Sequence, residues 1–209
     1  MTYLPVILTI AVLHFLAVVS PGPDFIMISR NALLYSRRSG VYTALGLTLG
    51  LLVHITYSLV GIGLIISKSL ILFSILKFIG AGYLLYVGFK AIRAKESKTT
   101  IELDAAKNYI SKFAAVKMGF ITNVTNPKVT LFFLSIFTLV IQPTTPFFIK
   151  MIIGAEMSIV TFLWFAFVAV LLSHGLIKKQ FVKVQHYVER FMGVLLIILG
   201  IKLALATSK

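Results

Sequence analysis

Long apolar stretches separated by short polar connections dominate the chain. A transmembrane helix needs about 20 mainly apolar residues, and six stretches come close to that length or exceed it. They lie at residues 4–34, 41–66, 69–92, 113–141, 147–172 and 191–207. The first and the fourth are longer than most of the others, and proline interrupts both. The pattern predicts an all-α integral membrane protein of six transmembrane helices, the first and fourth broken at Pro motifs.

The composition excludes an ordinary soluble domain. Of the 209 residues, 59% are hydrophobic and 12% are charged, whereas soluble domains carry about 25% charged residues. So few charges cannot build a solvated shell around a chain of this size. There is no cysteine, which excludes disulfides, thiolate metal sites and thiol redox chemistry. The stretch from residue 4 to 20 has no basic residue before it and ends at Pro-Gly-Pro, so we interpret it as a retained span rather than a cleaved signal peptide.

The lysines and arginines behind the net charge of +14 are concentrated in alternate connections. The second and fourth connections carry only Lys68 and Lys150. The first, third and fifth carry Arg37, Arg38, Lys90, Arg93, Lys95, Lys98, Lys107, Lys112, Lys178, Lys179, Lys183 and Arg190. By the positive-inside rule the odd-numbered loops are cytoplasmic and both termini lie outside. Because the basic residues sit between apolar runs rather than on one exposed face, nucleic acid is not expected as a partner.

The two halves of the chain resemble each other. Lys77-Phe78-Ile79-Gly80 opens the third span as Arg190-Phe191-Met192-Gly193 opens the sixth. Gly22-Pro23-Asp24 in the first span matches Asn126-Pro127-Lys128 in the fourth. Three spans per half is an odd number, so the repeats take opposite orientations, which is typical of secondary transporters with a site near the pseudo-two-fold axis. The alternative is chance similarity between apolar helices that contain glycine.

This organisation divides the chain into three parts. Residues 1–93 form the first three-helix repeat, and residues 113–209 form the second. The mixed-charge, polar segment 94–112 between them is predicted to be a cytoplasmic linker.

Ser20-Pro21-Gly22-Pro23-Asp24 is the strongest local motif. Two prolines and a glycine break the helix and leave carbonyls unpaired before the break. Pro23 suits the first position of a new helix, and Asn126-Pro127 repeats the arrangement with asparagine as N-cap. Both breaks expose the positive end of a half-helix, which suits an anion such as a substrate carboxylate. The alternative is a pair of ordinary proline kinks or span ends.

Few ionisable groups lie at membrane depth, and because intramembrane charge is costly each is a functional candidate. They are His14, Asp24, His54, Lys117, Lys128 and Glu156. Asp24 and Lys128 occupy equivalent repeat positions with opposite sign, so we expect them to approach each other, with Asp24 binding the substrate ammonium or a proton. Glu156 is either a second proton site or an interfacial glutamate. His54 either lines a polar path with Tyr57 or is hydrogen-bonded between helices.

Small residues mark packing surfaces. Gly46-Leu47-Thr48-Leu49-Gly50 is a GxxxG motif, and Gly80-Ala81-Gly82 with Gly88 forms another small face. Such faces pack helices within a monomer or between monomers, so they are compatible with a homodimer. The sequence contains no phosphate-binding glycine loop, no metal-ligand cluster and no nucleophile with a base at catalytic spacing. It therefore predicts no cofactor, no metal and no enzymatic activity.

These motifs, in this order along nearly the whole chain, resemble the LysE/RhtB family of amino-acid exporters. The matching residues are Ser20-Pro21-Gly22-Pro23-Asp24-Phe25, Arg30-Asn31, Arg37-Arg38-Ser39-Gly40, Gly46, Gly50, His54, the run from Phe78 to Gly88, Gly119-Phe120, Asn123, Asn126-Pro127-Lys128 and Phe132-Phe133. The chain departs at Leu51, where some members carry an acid. Fewer acidic groups at depth argue against a dibasic substrate such as lysine.

The resemblance implies a multi-pass exporter of the bacterial inner membrane, driven by the proton-motive force. Threonine, homoserine, homoserine lactone and leucine are the type of substrate it implies. It adds Asn31 and Asn123 to the candidate residues for binding substrate or protons. The full candidate set is Pro21, Gly22, Pro23, Asp24, Asn31, His54, Asn123, Asn126, Pro127, Lys128 and Glu156.

Two other functions are alternatives to this one. An exporter or channel for a small cation or another metabolite would use the same fold, but the absence of cysteine and the scarcity of carboxylates at depth speak against a metal ion. A membrane enzyme acting on lipid would need an acid, base or metal cluster at one interface, which the sequence lacks.

Overall fold

The described part of the chain is entirely helical where it is regular. The computed structural model describes residues 3–20, 22–68, 70–93, 110–139 and 144–173, with scattered positions between 187 and 205. Within the continuous ranges the helices are α1 Leu4–Val19, α2 Pro23–Leu34, α3 Arg37–Lys68, α4 Leu70–Ile92, α5 Lys112–Val124, α6 Pro127–Leu139 and α7 Phe147–Leu172. The predicted all-α class is confirmed. Most of the predicted linker lies outside the described residues, and the sixth predicted span is described only at scattered positions, which are helical.

Both proline motifs start a new helix, as the sequence predicts. α2 begins at Pro23, and its axis is bent by 54° from that of α1. α6 begins at Pro127, where the proline needs no hydrogen-bond partner for its backbone nitrogen. Within the described residues, Arg37–Leu59 of α3 and α7 are long and apolar enough to cross a membrane, and α1 with α2 makes a third span if the bent pair is counted as one.

The start of α3 differs from the prediction. The second span was expected from residue 41, with Arg37 and Arg38 in a loop, whereas both arginines belong to the first turn of the helix. The Ser36 hydroxyl accepts a hydrogen bond from the Ser39 backbone N–H at 3.0 Å, so Ser36 is the N-cap of α3. The helix therefore begins four residues before the predicted start of the span. Hydropathy alone missed this start because the capping turn is polar.

The described residues form two apolar clusters, and α3 and α7 contribute to both. Ala44 and Leu47 of α3 belong to the same cluster as Phe165 and Val168 of α7. The other cluster contains Leu51, Ile55, Ile153 and Met157 with residues of α1 and α6. Residue numbers rise along α3 where they fall along α7, so the two helices run antiparallel.

Glycines bring α3 and α5 into backbone contact. A Cβ atom on Gly46 would overlap the Val116 carbonyl oxygen, and one on Gly119 would overlap the Thr43 carbonyl oxygen. A Cβ on Gly50 would lie 2.8 Å from the Asn123 Cβ. Contacts advance along both helices, from Lys112 over the Tyr42 ring to Gly46 at Val116 and Gly50 at Asn123, so α3 and α5 run in the same direction. The GxxxG motif, which the sequence left open between two uses, therefore packs helices inside the chain.

A second close crossing joins α4 to the C-terminal segment. A Cβ on Gly88 would lie 2.7 Å from the Gly193 carbonyl oxygen, and a Cβ on Gly193 would lie 2.6 Å from that of Gly88. Further along, a Cβ on Gly200 would lie 3.1 Å from the Ala81 carbonyl oxygen. The pairing runs 88 with 193 and 81 with 200, so these segments cross antiparallel.

Candidate functional site

Asp24 forms the centre of a polar cluster between the two helix breaks. It lies in the first turn of α2 and is 7% exposed. The Asn123 side-chain amide donates to Asp24 Oδ2 at 2.8 Å, and the Asn126 amide donates to Oδ1 at 2.9 Å. Each carboxylate oxygen thus has an amide donor from the other half of the chain, and the α2 N-terminus adds a favourable dipole.

Asn126 has two roles that fix its orientation. Its Oδ1 accepts a hydrogen bond from the Lys128 backbone N–H at 3.0 Å, which caps α6. Its Nδ2 is therefore the atom left to donate to Asp24. The predicted N-cap asparagine followed by Pro127 at the first helical position is present, and the cap also holds the carboxylate.

Lys128 satisfies the carbonyls that the first break leaves open. Its Nζ donates to the carbonyl oxygen of Ala17 at 3.1 Å and to that of Ser20. A cation at this place also complements the negative end of the α1 dipole. Gly22 gives it room, because a Cβ there would lie 3.3 Å from the Lys128 Cδ. The structure places Asp24 and Lys128 on one cavity wall.

His54 connects α3 to the end of α5. Its Nε2 lies 3.0 Å from the Asn123 carbonyl oxygen, which can only accept, so Nε2 carries the proton. Its Nδ1 lies 2.7 Å from the Tyr57 hydroxyl, which donates to it when the ring is neutral. The ring is thus hydrogen-bonded between helices, which is one of the two alternatives that the sequence left open. It also holds the backbone of Asn123, whose side chain binds Asp24.

A small cavity of about 40 Å³ lies between these groups. That volume has room for about three water molecules. Its wall is formed by His14, Ala17, Val18, Ser20, Gly22, Asp24, Phe25, Leu51, Asn123, Asn126, Lys128, Val129, Phe132, Phe133, Thr161 and Phe165. Thr161 is the fifteenth of the 26 residues of α7, so the cavity lies near the middle of a membrane-spanning helix.

Two wall residues on α1 and α7 were not in the predicted site. His14 Nε2 lies 3.2 Å from Thr161 Oγ1, and both residues are 1% exposed. The sequence identified His14 as an ionisable group at depth but gave it no role, and it did not single out Thr161. A lone threonine in an apolar helix carries no signal of its own. Only the packing of α1 on α7 reveals the pair.

Several predicted residues lie away from the cavity. Asn31 is fully buried, and its Nδ2 donates to Thr43 Oγ1 at 2.8 Å between α2 and α3. Glu156 is half-buried on α7, outside the cavity wall. Pro23 and Pro127 set the helix starts without lining the cavity. Pro21 lies outside the described residues.

Replacement of Lys128 by methionine is expected to lower the melting temperature of the detergent-purified protein. The substitution keeps the apolar stem and removes the donor to the Ala17 and Ser20 carbonyls, and leaving buried acceptors unpaired costs about 1–3 kcal/mol. Lys117→Met is the matched control, because Lys117 is exposed on α5. Equal melting temperatures for the Lys128→Met and Lys117→Met proteins would show that the Lys128 ammonium does not stabilise the fold through these carbonyls.

Residues 15–207 match the family model described as LysE type translocator. The threonine efflux protein of Escherichia coli (strain K12) is 30% identical over 200 residues, which cover 95% of this chain and 97% of the relative. That of Salmonella typhi is 30% identical over 205 residues, with the same coverage of each chain. An uncharacterized membrane protein of Bacillus subtilis, YrhP, is 30% identical over 196 residues, which cover 90% of this chain and 93% of the relative. No solved structure matches.

Proposed function

Since this chain belongs to the LysE type translocators, we propose that it exports a small zwitterionic amino acid or derivative across the bacterial inner membrane in exchange for protons. Threonine, homoserine and leucine are the proposed zwitterionic substrates, and homoserine lactone, which has an amine but no carboxylate, is the proposed derivative. The two threonine efflux proteins among the relatives favour threonine. One observation carries the proposal. An acid and a base, Asp24 and Lys128, line one mid-span cavity at the breaks of two helices.

The proposed architecture is six spans in two inverted repeats, residues 1–93 and 113–209, joined by a cytoplasmic linker at 94–112. Helix directions support it. Spans that alternate across the membrane make α3 parallel to α5, α3 antiparallel to α7, and α4 antiparallel to the C-terminal segment. The glycine contacts agree with the first and third of these directions. The apolar clusters that α3 and α7 share agree with the second. Odd-numbered loops on the cytoplasmic side and termini outside complete the proposal.

The substrate's two charges match the cavity. Its ammonium binds near Asp24, replacing the amide bonds from Asn123 and Asn126. Its carboxylate lies near the N-terminal ends of α2 and α6, with Lys128 as the cation beside it. Threonine has eight heavy atoms, whereas the cavity holds about three waters, so loading requires the wall to open. Rocking of one repeat against the other provides that opening and exposes the site to each side in turn.

Protons rather than sodium ions are the proposed coupling ion. In transporters with broken helices, unwound carbonyls coordinate sodium. Here the Lys128 ammonium bonds the carbonyls of Ala17 and Ser20 at the break. Asp24 is the acid among the wall residues, and it takes up a proton when the substrate ammonium leaves. The net exchange is one zwitterion outward for protons inward.

Counterflow in proteoliposomes tests this function. The purified protein is reconstituted, and labelled threonine, homoserine, homoserine lactone, leucine and lysine are followed with and without a pH gradient, in sodium and in potassium buffer. We expect the neutral zwitterions to exchange, a pH gradient to drive net movement, and sodium to have no effect. Failure of every amino acid to move, with protein that is monodisperse and folded, would refute the proposal.

A further inference from the structure

We propose that His14 and Thr161 together recognise a hydroxyl group on the substrate side chain, which makes them specificity-determining residues. This inference rests on the proposed function, because it names which zwitterions the same cavity prefers. The substrate class it selects is the short aliphatic amino acid that carries a hydroxyl.

The polar groups on the cavity wall come from two different sets of helices. Asp24, Asn123, Asn126 and Lys128 come from α2, α5 and α6, and they match the charged end that all amino acids share. The His14–Thr161 pair comes from α1 and α7. The rest of the wall is largely apolar, and it includes Leu51, Val129, Phe132, Phe133 and Phe165. Beyond the charged end, this pair therefore places polar groups among apolar side chains, and a few placed polar groups in a mainly apolar site give a ligand its orientation and specificity.

The Nδ1 atom of His14 is available for a hydrogen bond to a ligand. The residue is 1% exposed, its Nε2 is matched with Thr161 Oγ1, and its Nδ1 has no hydrogen-bond partner among the described residues. Buried polar groups without a partner are rare in native proteins and cost stability. The ring also packs against Phe132 at a centroid distance of 6.2 Å, so it is held in place on the cavity wall. His14 lines the cavity, and its Nδ1 is closed off in this conformation, so the missing bond is available to a ligand that enters once the wall has opened.

A hydroxyl suits that atom in either ring tautomer. If the Thr161 hydroxyl donates to Nε2, Nδ1 carries the proton and needs an acceptor; if Nε2 donates to Thr161, Nδ1 needs a donor. A hydroxyl group provides either. A methyl group provides neither. Sites built to bond a hydroxyl discriminate against analogues that lack it.

Threonine and valine provide the test, because they differ only by a hydroxyl in place of a methyl group. We expect the wild-type protein to prefer threonine to valine by about tenfold in competitive counterflow, which corresponds to about 1.4 kcal/mol. His14→Phe and Thr161→Val are each expected to reduce that ratio to near one. Ser58→Ala is the control, since Ser58 Oγ is also buried without a partner among the described residues but does not line the cavity; its ratio should stay at the wild-type value.

Unchanged ratios in both cavity variants would overturn the inference while leaving the proposed function intact. If His14→Phe does not fold, the Thr161→Val ratio decides alone, since that substitution conserves shape. A wild-type protein that moves threonine and valine equally well also overturns the inference. A wild-type protein that moves neither also overturns the inference. It refutes the proposed function as well only if homoserine, homoserine lactone and leucine also fail to move.

Discussion

The Asp24→Asn variant is expected to lose at least about 99% of pH-gradient-driven export while remaining folded. The substitution removes the anion that binds the substrate ammonium and the group that takes up the proton, so both halves of the exchange fail. A charge-assisted hydrogen bond contributes about 1.5–3 kcal/mol, and a hundredfold loss corresponds to about 2.7 kcal/mol. Initial rates of threonine movement in proteoliposomes with an imposed pH gradient measure the effect.

The local structure explains why this variant should fold. Asparagine keeps one carbonyl oxygen to accept from Asn126 and gains an amide that needs an acceptor. Asn123 can supply one by rotating its side-chain amide, because its Oδ1 is buried without a partner among the described residues. Glu156→Gln is the matched control, a carboxylate neutralised on α7 outside the cavity wall, and it should keep most of the activity. Full gradient-driven export by Asp24→Asn would exclude Asp24 from substrate and proton binding.

The Gly46→Ala variant is expected to lose the folded state in detergent. A single added methyl group on Gly46 overlaps the Val116 carbonyl oxygen and comes within 2.8 Å of the Phe120 backbone nitrogen. Both neighbours are backbone atoms, so no side chain can move aside, and α3 and α5 must separate. We expect a cost of about 3 kcal/mol or more, at the upper end for overpacking. The yield of monodisperse protein and its melting temperature report the loss.

Gly82→Ala is the control for this prediction. Among the described residues, no atom beyond the local backbone of α4 lies within 4 Å of a Cβ built at Gly82, and alanine also has the higher helix propensity. The control protein should melt at or slightly above the wild-type temperature. Equal melting temperatures for Gly46→Ala and Gly82→Ala would mean that the backbones of α3 and α5 are not in contact.

The sequence predicted those features of the site that depend on local chemistry. Proline and asparagine dictate where α2 and α6 begin, because proline lacks a backbone donor and asparagine caps a helix. Membrane depth made Asp24 and Lys128 candidates, because buried charge needs a partner. The proposed repeat puts them at equivalent positions, and the structure places both on one cavity.

Other features depend on how distant helices pack, which hydropathy does not encode. The hydrogen bond between His14 and Thr161 joins residues 147 positions apart. The sequence predicted unpaired carbonyls before the first break but not that Lys128, 108 positions after Ser20, would satisfy them. Asn31 was included by family resemblance, yet its partner is Thr43 on the next helix. Each of these contacts follows from helix packing rather than from a local motif.

Cysteine labelling tests whether the cavity opens to each side of the membrane in turn. The chain contains no cysteine, so Val129→Cys places a single thiol of similar volume in the cavity wall. Leu163→Cys, 59% exposed on the lipid-facing side of α7, is the control. Right-side-out and inverted vesicles are treated with a membrane-impermeant thiol reagent, with and without threonine. We predict that the Val129→Cys thiol is labelled from both sides and protected by threonine, while the control is labelled from neither. Labelling of Val129→Cys from one side only, unaffected by threonine, would exclude alternating access at this cavity.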